Sequence, residues 1–365
     1  MSGAIGGTAY AGYGTMSTLI ANAQTVRQTL DQLTTQASTG LVGQTYAGLG
    51  AGASVSLDLR PQLASLSTWQ ANINAATGVM GVTQTAMTQL QSIASSFRAQ
   101  LDTLNGLNPS TVDSVAASAR QALVQVAGLL DTTDGSTYVF GGADSTNPPV
   151  PNPDAILGSG FYTQINTAVG GLGGAGAAAT AAATLATASS NAAGTSPFSA
   201  YMSQPAATLQ AQIPLVQTGA GQTQAIGLLA SANTYVASTG TSTTGSYARD
   251  LMRALATIGS LSSSQVNAAG FQGLVSDTYT SLGGVVTAMA QDAGVLGNQQ
   301  TALTAIGTQL QDQTTALTAQ VSPAENVDMA KVLSDMSLVQ TQLQSSYQLI
   351  SGQSALSLVK FLPIG

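Results

Sequence analysis

The chain has 365 residues, enough for more than one domain and a sizeable core, yet only 6% of them are charged and 5% aromatic. Eight basic residues stand against fifteen acidic ones, a net charge of −7, and no basic cluster forms, which argues against nucleic-acid binding and against adsorption to a membrane surface. Neither Cys nor His occurs, which removes disulfides, thiol catalysis, the usual zinc and copper ligand sets and any Ser-His or Cys-His dyad.

With so few charges the surface must be wetted by Gln, Asn, Ser and Thr, which hydrate without repelling a neighbouring copy. The first residues, MSGAIGGTAYAGYGTM, lack a basic segment and a continuous apolar run, so any export is expected to proceed without a cleaved signal peptide. No window is apolar enough to span a bilayer, and no membrane insertion is expected.

In chain order, the first pattern is a heptad seam at Met16, Leu19, Ala23, Val26, Leu30, Leu33 and Ala37, spaced alternately by three and four as in a coiled-coil helix. A longer seam follows at Trp69, Ile73, Ala76, Met80, Thr83, Met87, Leu90, Ala94, Phe97, Leu101 and Leu104, about ten turns of helix ending at Asn105-Gly106 before Pro109. Val112, Val115, Ala119, Ala122, Val126 and Leu129 continue the period and predict a helix folding back on it as a hairpin.

From Gly141 to Gly245 the composition shifts to Gly, Ala, Ser, Thr and Pro, with NPPVPNP at Asn147–Pro153 and a low-complexity run from Gly170 to Ala193. Tyr138–Phe140, Phe161–Ile165, Ile213–Val216 and Ala225–Leu229 read as short strands. The Ala/Gly run is compatible with a helix, a flexible loop or partial disorder, because Ala favours helix while Gly opposes it by about 1 kcal/mol per residue.

Beyond it, Leu251, Leu255 and Ile258, then Leu274, Leu282, Val286, Met289, Leu296, Leu303, Ile306, Leu310 and Leu317, predict one shorter and one long helix. The last seam is Met329, Val332, Met336, Val339, Leu343, Ser346 and Ile350, extending through Leu356 and Val359, with Pro323 near its start, Glu325 and Asp328 in its first turn and Pro363 at its stop. Two amphipathic helices thus bracket the chain, and each wants a partner: the other, further copies, or both.

Carboxylates group only as Asp131 with Asp134 and Glu325 with Asp328. Both pairs fall at helix boundaries, where acids cap ends and open turns, and they read as structural rather than as metal or proton sites. Gly170–Gly176 follows no clear strand and has no GxxxxGK[ST] lysine, so no nucleotide site, no cofactor and no catalytic residue is expected.

The run Leu33–Ile93 resembles the N-terminal conserved region of the bacterial flagellin and hook-associated protein superfamily, with Ser38-Thr39-Gly40 closing the first helix and Asn72-Ile73-Asn74 in the long one. Asn326–Leu362 resembles the C-terminal helix of the same superfamily down to Ser357, Leu358 and Leu362. Within the superfamily, Asp131–Val150 is similar to the hook-associated proteins of the hook-filament junction in placing Tyr138, Phe140 and Gly142 before a Pro-containing segment, with Gly221-Gln222-Thr223 as a return strand. Val42–Ala53 departs from the usual pattern after the Ser-Thr-Gly turn.

The resemblance implies a mainly α fold. A long antiparallel coiled-coil bundle would be formed by both chain ends and carry an inserted β-containing (α+β) outer domain. The expected division is 1–45 with 322–365 as a terminal coiled-coil domain, 46–142 with 246–321 as a helical rod, and 143–245 as the outer insert. The implied role is a non-enzymatic structural subunit of the extracellular bacterial flagellum, a hook-filament junction protein. Its implied partners are copies of itself, other flagellar axial proteins (hook-associated proteins and flagellin), an export chaperone and the type III export apparatus. Leu19, Val26, Leu30, Leu33, Met329, Val332, Met336, Val339, Leu343, Ile350, Leu358 and Leu362 are the expected assembly interface. A filament-forming flagellin and, more distantly, a secreted adhesin on a helical stalk are the competing readings.

Overall fold

The computed structural model describes residues 8–104 and 109–359. The chain divides into two compact units, Met1–Ser67 with Asp312–Gly365 and Thr68–Gln311, and the division falls inside two very long helices. These are α2 (Ala53–Asp102) and α8 (Phe271–Glu325). The remaining helices are α1 (Thr8–Thr39), α3 (Pro109–Leu130), α4 (Gly160–Gly170), α5 (Leu172–Ser189), α6 (Ala206–Ala211), α7 (Tyr247–Gly259) and α9 (Met329–Val359).

In the larger unit the long seam of α2 is the core. Ile73, Ala76, Met80, Thr83, Met87, Leu90, Ala94, Phe97, Leu101 and Leu104 are all buried, and only Trp69 is half-exposed. Thr83 enters this apolar line with its hydroxyl satisfied, donating to the Val79 carbonyl one turn back, 2.8 Å away. α8 runs antiparallel to α2: the Gln300 amide donates to the Thr77 carbonyl, and the Arg98 guanidinium lies 4.6 Å from the Tyr279 ring centroid. Val285 rather than Val286 is the fully buried member of the α8 stripe. The turn Asn105-Gly106 lies outside the described residues.

α3 packs extensively on α7, and every one of the 13 residues of α7 is buried. A helix enclosed on all sides must satisfy its polar groups internally. Arg249 does so without a carboxylate: it donates to the Ser231 carbonyl (2.9 Å), the Ala188 carbonyl (3.0 Å) and Asn191 Oδ1 (2.7 Å), and its guanidinium sits over Phe198. Asp250 accepts from the Thr244 backbone N–H and the Thr243 hydroxyl. Arg120 donates to the carbonyl of Gly259 at the α7 C-terminus (2.6 Å), where the helix dipole favours a cation.

The insert is less β than the sequence suggests. Phe161–Ile165 is helical, not a strand: Phe161, Ile165 and Val169 recur every four residues on the buried side of α4, a period hidden in so short an apolar run. The Ala/Gly run forms α5, broken at Gly176 (φ +77°). Two antiparallel hairpins supply the strands. β1 (Thr133–Asp134) pairs with β2 (Thr137–Tyr138), and β3 (Leu215–Gly219) pairs with β4 (Gln222–Ala225) through a bulge between Gln217 and Gly219. The expected return strand from Gly221 is thus β4, and the expected strand Ala225–Leu229 contributes only its first residue to it. Leu229 instead bridges Gly141, and the Ala230 N–H donates to the Phe140 carbonyl, joining the two ends of the insert. Gly142 (φ +59°) faces Leu229 so closely that a Cβ would fall 2.8 Å from its Cδ2.

Where α3 gives way to the insert, half-buried Asp131 accepts from the Val150 N–H at 2.8 Å. Burial pushes its carboxyl up to about 6, against the usual 3.8. Because the raised value favours the protonated acid in the folded state, this contribution to stability is complete below pH 4 and is lost as pH rises through about 6. Asp250 and Asp292, also raised by burial, act in the same direction, so the difference between wild type and variant isolates Asp131. Asp131→Asn should melt with the wild type near pH 4 and roughly 2–4 °C above it at pH 8, followed by circular dichroism; equal melting at both pH values would refute the assignment.

Candidate assembly interface

The first and last helices meet in the smaller unit. α1 closes at Gly40 (φ +73°), whose N–H donates back to the Gln36 carbonyl, and the next residues run antiparallel to the segment between α8 and α9. The Val42 N–H donates to the Glu325 carbonyl (2.7 Å), the Val327 N–H donates to the Gly40 carbonyl (3.0 Å), and Leu41 bridges Asn326. This two-stranded joint is clamped by one carboxylate. Glu325 accepts a forked pair of bonds from Arg60, Nε to Oε1 at 2.8 Å and Nη2 to Oε2 at 2.6 Å, and a third from the Ser56 hydroxyl. The Arg60 bonds, then the Ser56 bond, hold the Glu325 carboxyl below its usual range. The Glu325 side chain is 12% exposed and the Arg60 side chain 58%, so the pair is shielded on one side only and is worth correspondingly less than a buried one.

The sequence placed Glu325 in the first turn of the last helix and Pro323 near its start. Both instead belong to the final turn of α8, where Pro323 has no N–H to donate back to the preceding turn and the helix ends two residues later. Asp328 alone begins α9, its carboxylate accepting from the N–H groups of Ala330 (2.9 Å) and Lys331 (3.3 Å). The clamp itself went unread, since Arg60 and Glu325 are 265 residues apart and only the loop Val42–Ala53, where Tyr46–Gly52 forms a 3-10 turn, brings α2 back beside them.

Past the joint, α1 and α9 pack along each other. Leu19, Val26, Leu30 and Leu33 on α1 and Met336, Val339, Leu343 and Ile350 on α9 are half-buried, and Ala23 and Val332 are buried. The pairing is antiparallel, with the Thr34 hydroxyl against Met336 Sδ. Met329, counted into the seam, is 41% exposed. Leu358 lies in the part of α9 whose side chains are not described, and Leu362 and Pro363 lie outside the described residues.

The heptad reading missed a second set of apolar residues off the seam. Ile20 (44%), Leu333 (50%), Tyr347 (50%), Leu349 (63%) and Leu338 (68%) all stand exposed on the same two helices. Their signal was present as large apolar residues between seam positions. Of the acidic pairs, Asp131 and Glu325 have the structural partners described above, and no group of three or more His, Cys, Asp or Glu side chains among the described residues is placed to hold a metal. Among the same residues no helix is long and apolar enough to cross a membrane.

Two family models match the chain: the bacterial flagellin N-terminal helical region over residues 13–143 and the bacterial flagellin C-terminal helical region over residues 280–362, together more than half of it. No curated protein matches it.

Glu325→Gln keeps the shape but removes the charge that Arg60 grips. Amide exchange at Val42 and Val327 should accelerate by about an order of magnitude, with the α2 core around Leu90 unchanged; unchanged exchange at the joint would mean that the clamp contributes nothing.

Proposed function

Since the chain belongs to the bacterial flagellin superfamily and is a structural subunit of the extracellular flagellum, we propose that its place is the junction between hook and filament. The superfamily is structural rather than enzymatic and self-polymerises into axial structures. The finer assignment is supported by the likeness of the segment Asp131–Val150, through Tyr138, Phe140 and Gly142, to the hook-associated proteins. Its β1–β2 turn, the fully buried Phe140 and the stitch to Leu229 and Ala230 make this segment the ordered base of the insert.

On this reading α1 and α9 form the terminal coiled-coil domain, with 1–45 and 322–365 as its extent. Residues 46–142 with 246–321 form the rod, and 143–245 form the outer insert. The seam from Leu19 to Leu33 and from Val332 to Ile350 holds the two terminal helices together, and assembly buries what that pair leaves open. Export through the type III apparatus with a dedicated chaperone, and contact with neighbouring hook-associated proteins and flagellin, complete the proposal.

Electron microscopy of the purified chain under polymerising conditions tests the assignment. Monomers or short oligomers that join only onto isolated hook complexes are expected; long filaments of the chain alone would identify a filament flagellin instead. Deleting residues 1–40 or 326–365 should abolish assembly while the larger unit stays folded. Leu343→Asp, a charge in the half-buried seam, should block incorporation, and normal incorporation of that variant would remove the seam from the assembly.

A further inference from the structure

Among the described residues, α1 and α9 each carry one cation and one anion, four residues apart and in the same order: Arg27 and Asp31 on α1, Lys331 and Asp335 on α9. Lys331 bonds Asp335 at 2.8 Å along its own helix, with side-chain exposures of 72% and 42%. Arg27 and Asp31 are exposed and have no ion-pair partner among the described residues.

At 3.6 residues per turn, Ile20, Arg27 and Asp31 fall about a quarter-turn to one side of the α1 seam. Lys331, Leu338 and Leu349 fall about a quarter-turn to the other hand of the α9 seam, with Asp335 between them and the seam. Because the two helices are antiparallel, opposite hands mean opposite sides of the pair. One side therefore offers an α1 flank of Ile20, Arg27 and Asp31, beside which Leu333 and Tyr347 of α9 also stand exposed, and the other an α9 flank of Leu338, Leu349, Lys331 and Asp335; each flank combines exposed apolar surface with one cation and one anion.

We propose that these flanks dock between neighbouring copies, α1 of one chain lying antiparallel to α9 of the next. Two helices with the same charge order and spacing, laid antiparallel, bring unlike charges together at both positions: Asp31 meets Lys331 and Arg27 meets Asp335. In that register Ile20 settles between Leu338 and Leu349. Relative to the pairing within one chain, where Thr34 lies at Met336, this register is slid by about eight residues, so adjacent copies are staggered by ~12 Å along the helices. Unlike flanks on opposite sides make the contact heterologous, able to propagate from copy to copy rather than close as a dimer. The ion pairs set register more than affinity.

The proposal rests on the assembly reading and is tested in the full-length chain, which contains no cysteine of its own. The double variant Asp31→Cys/Lys331→Cys, oxidised after incorporation onto hook complexes, should run as a ladder of disulfide-linked multimers, while either single variant stays monomeric. Incorporated double variant that remains monomeric, or a single variant that forms dimers, would overturn the pairing while leaving assembly intact. Asp31→Lys should lower incorporation several-fold, and adding Lys331→Asp should restore it; no rescue counts against the register. A wild-type chain that never incorporates would overturn the assembly reading and the pairing with it.

Discussion

The structure depends on the meeting of two helices from opposite ends of the chain, and that meeting has an entropic cost. Closing a loop of some 300 residues opposes the contact by about 5 kcal/mol on the logarithmic scaling of chain closure. The α1 and α9 stripes, largely half-buried, offset little of that by themselves. The topology lowers the cost by nesting: α2 and α8 pair inside the terminal pair, with the Gln70 amide near Gly307, so the ends are brought close before α1 and α9 must find one another. The joint at Gly40–Val42 and Glu325–Val327 then converts nearness into direction, because two backbone bonds and a forked carboxylate clamp fix where each terminal helix starts.

A second constraint is the scarcity of charge. In so uncharged a chain each ionic group can be given one task. The arginines of the larger unit act as internal pins: Arg249 on carbonyls and an aromatic ring, Arg120 on a helix C-terminus, Arg98 over Tyr279. The guanidinium suits this, since it presents five donors, stacks on rings and is weakly hydrated. Arg253 follows the same logic, donating to the Ser242 carbonyl and the Ser281 hydroxyl with Asp277 3.8 Å away. Burial lowers the affinity of Arg249 and Arg253 for their protons, but from a starting value high enough to keep both charged.

The helical framework was legible in the sequence wherever one side of a helix alone is buried. The α2 stripe, the separation of α7 from α8 and the seams of α1 and α9 all follow from spacings of three and four. Legibility failed where that rule does not apply. α7 is buried all round, so its Arg249, Asp250 and Arg253 look like surface residues in the sequence. α4 is too short for its period to stand out from a strand. α5 depends on close packing of glycine against its turns, as where a Cβ on Gly270 would fall 2.5 Å from the Ala177 nitrogen, and composition cannot signal that. In the interface the seam was visible and the clamp was not, because Glu325 and Arg60 are matched in space and not in spacing.

The smaller unit differs from the larger in how much of its apolar surface is covered. Among the described side chains of its two terminal helices only Ala23 and Val332 are buried, while Leu338 and Leu349 are about two-thirds exposed. A helix pair that buries so little gains little from pairing, for each exposed leucine leaves unrealised about 1.5–3 kcal/mol of transfer free energy. On the assembly proposed above, neighbours covering the same surface would recover that energy without any further change in sequence. The larger unit has its own packed core in α2, α7 and α8. Burial is therefore unequally divided between the two units, the larger holding a packed core and the smaller two terminal helices that are largely half-buried or exposed.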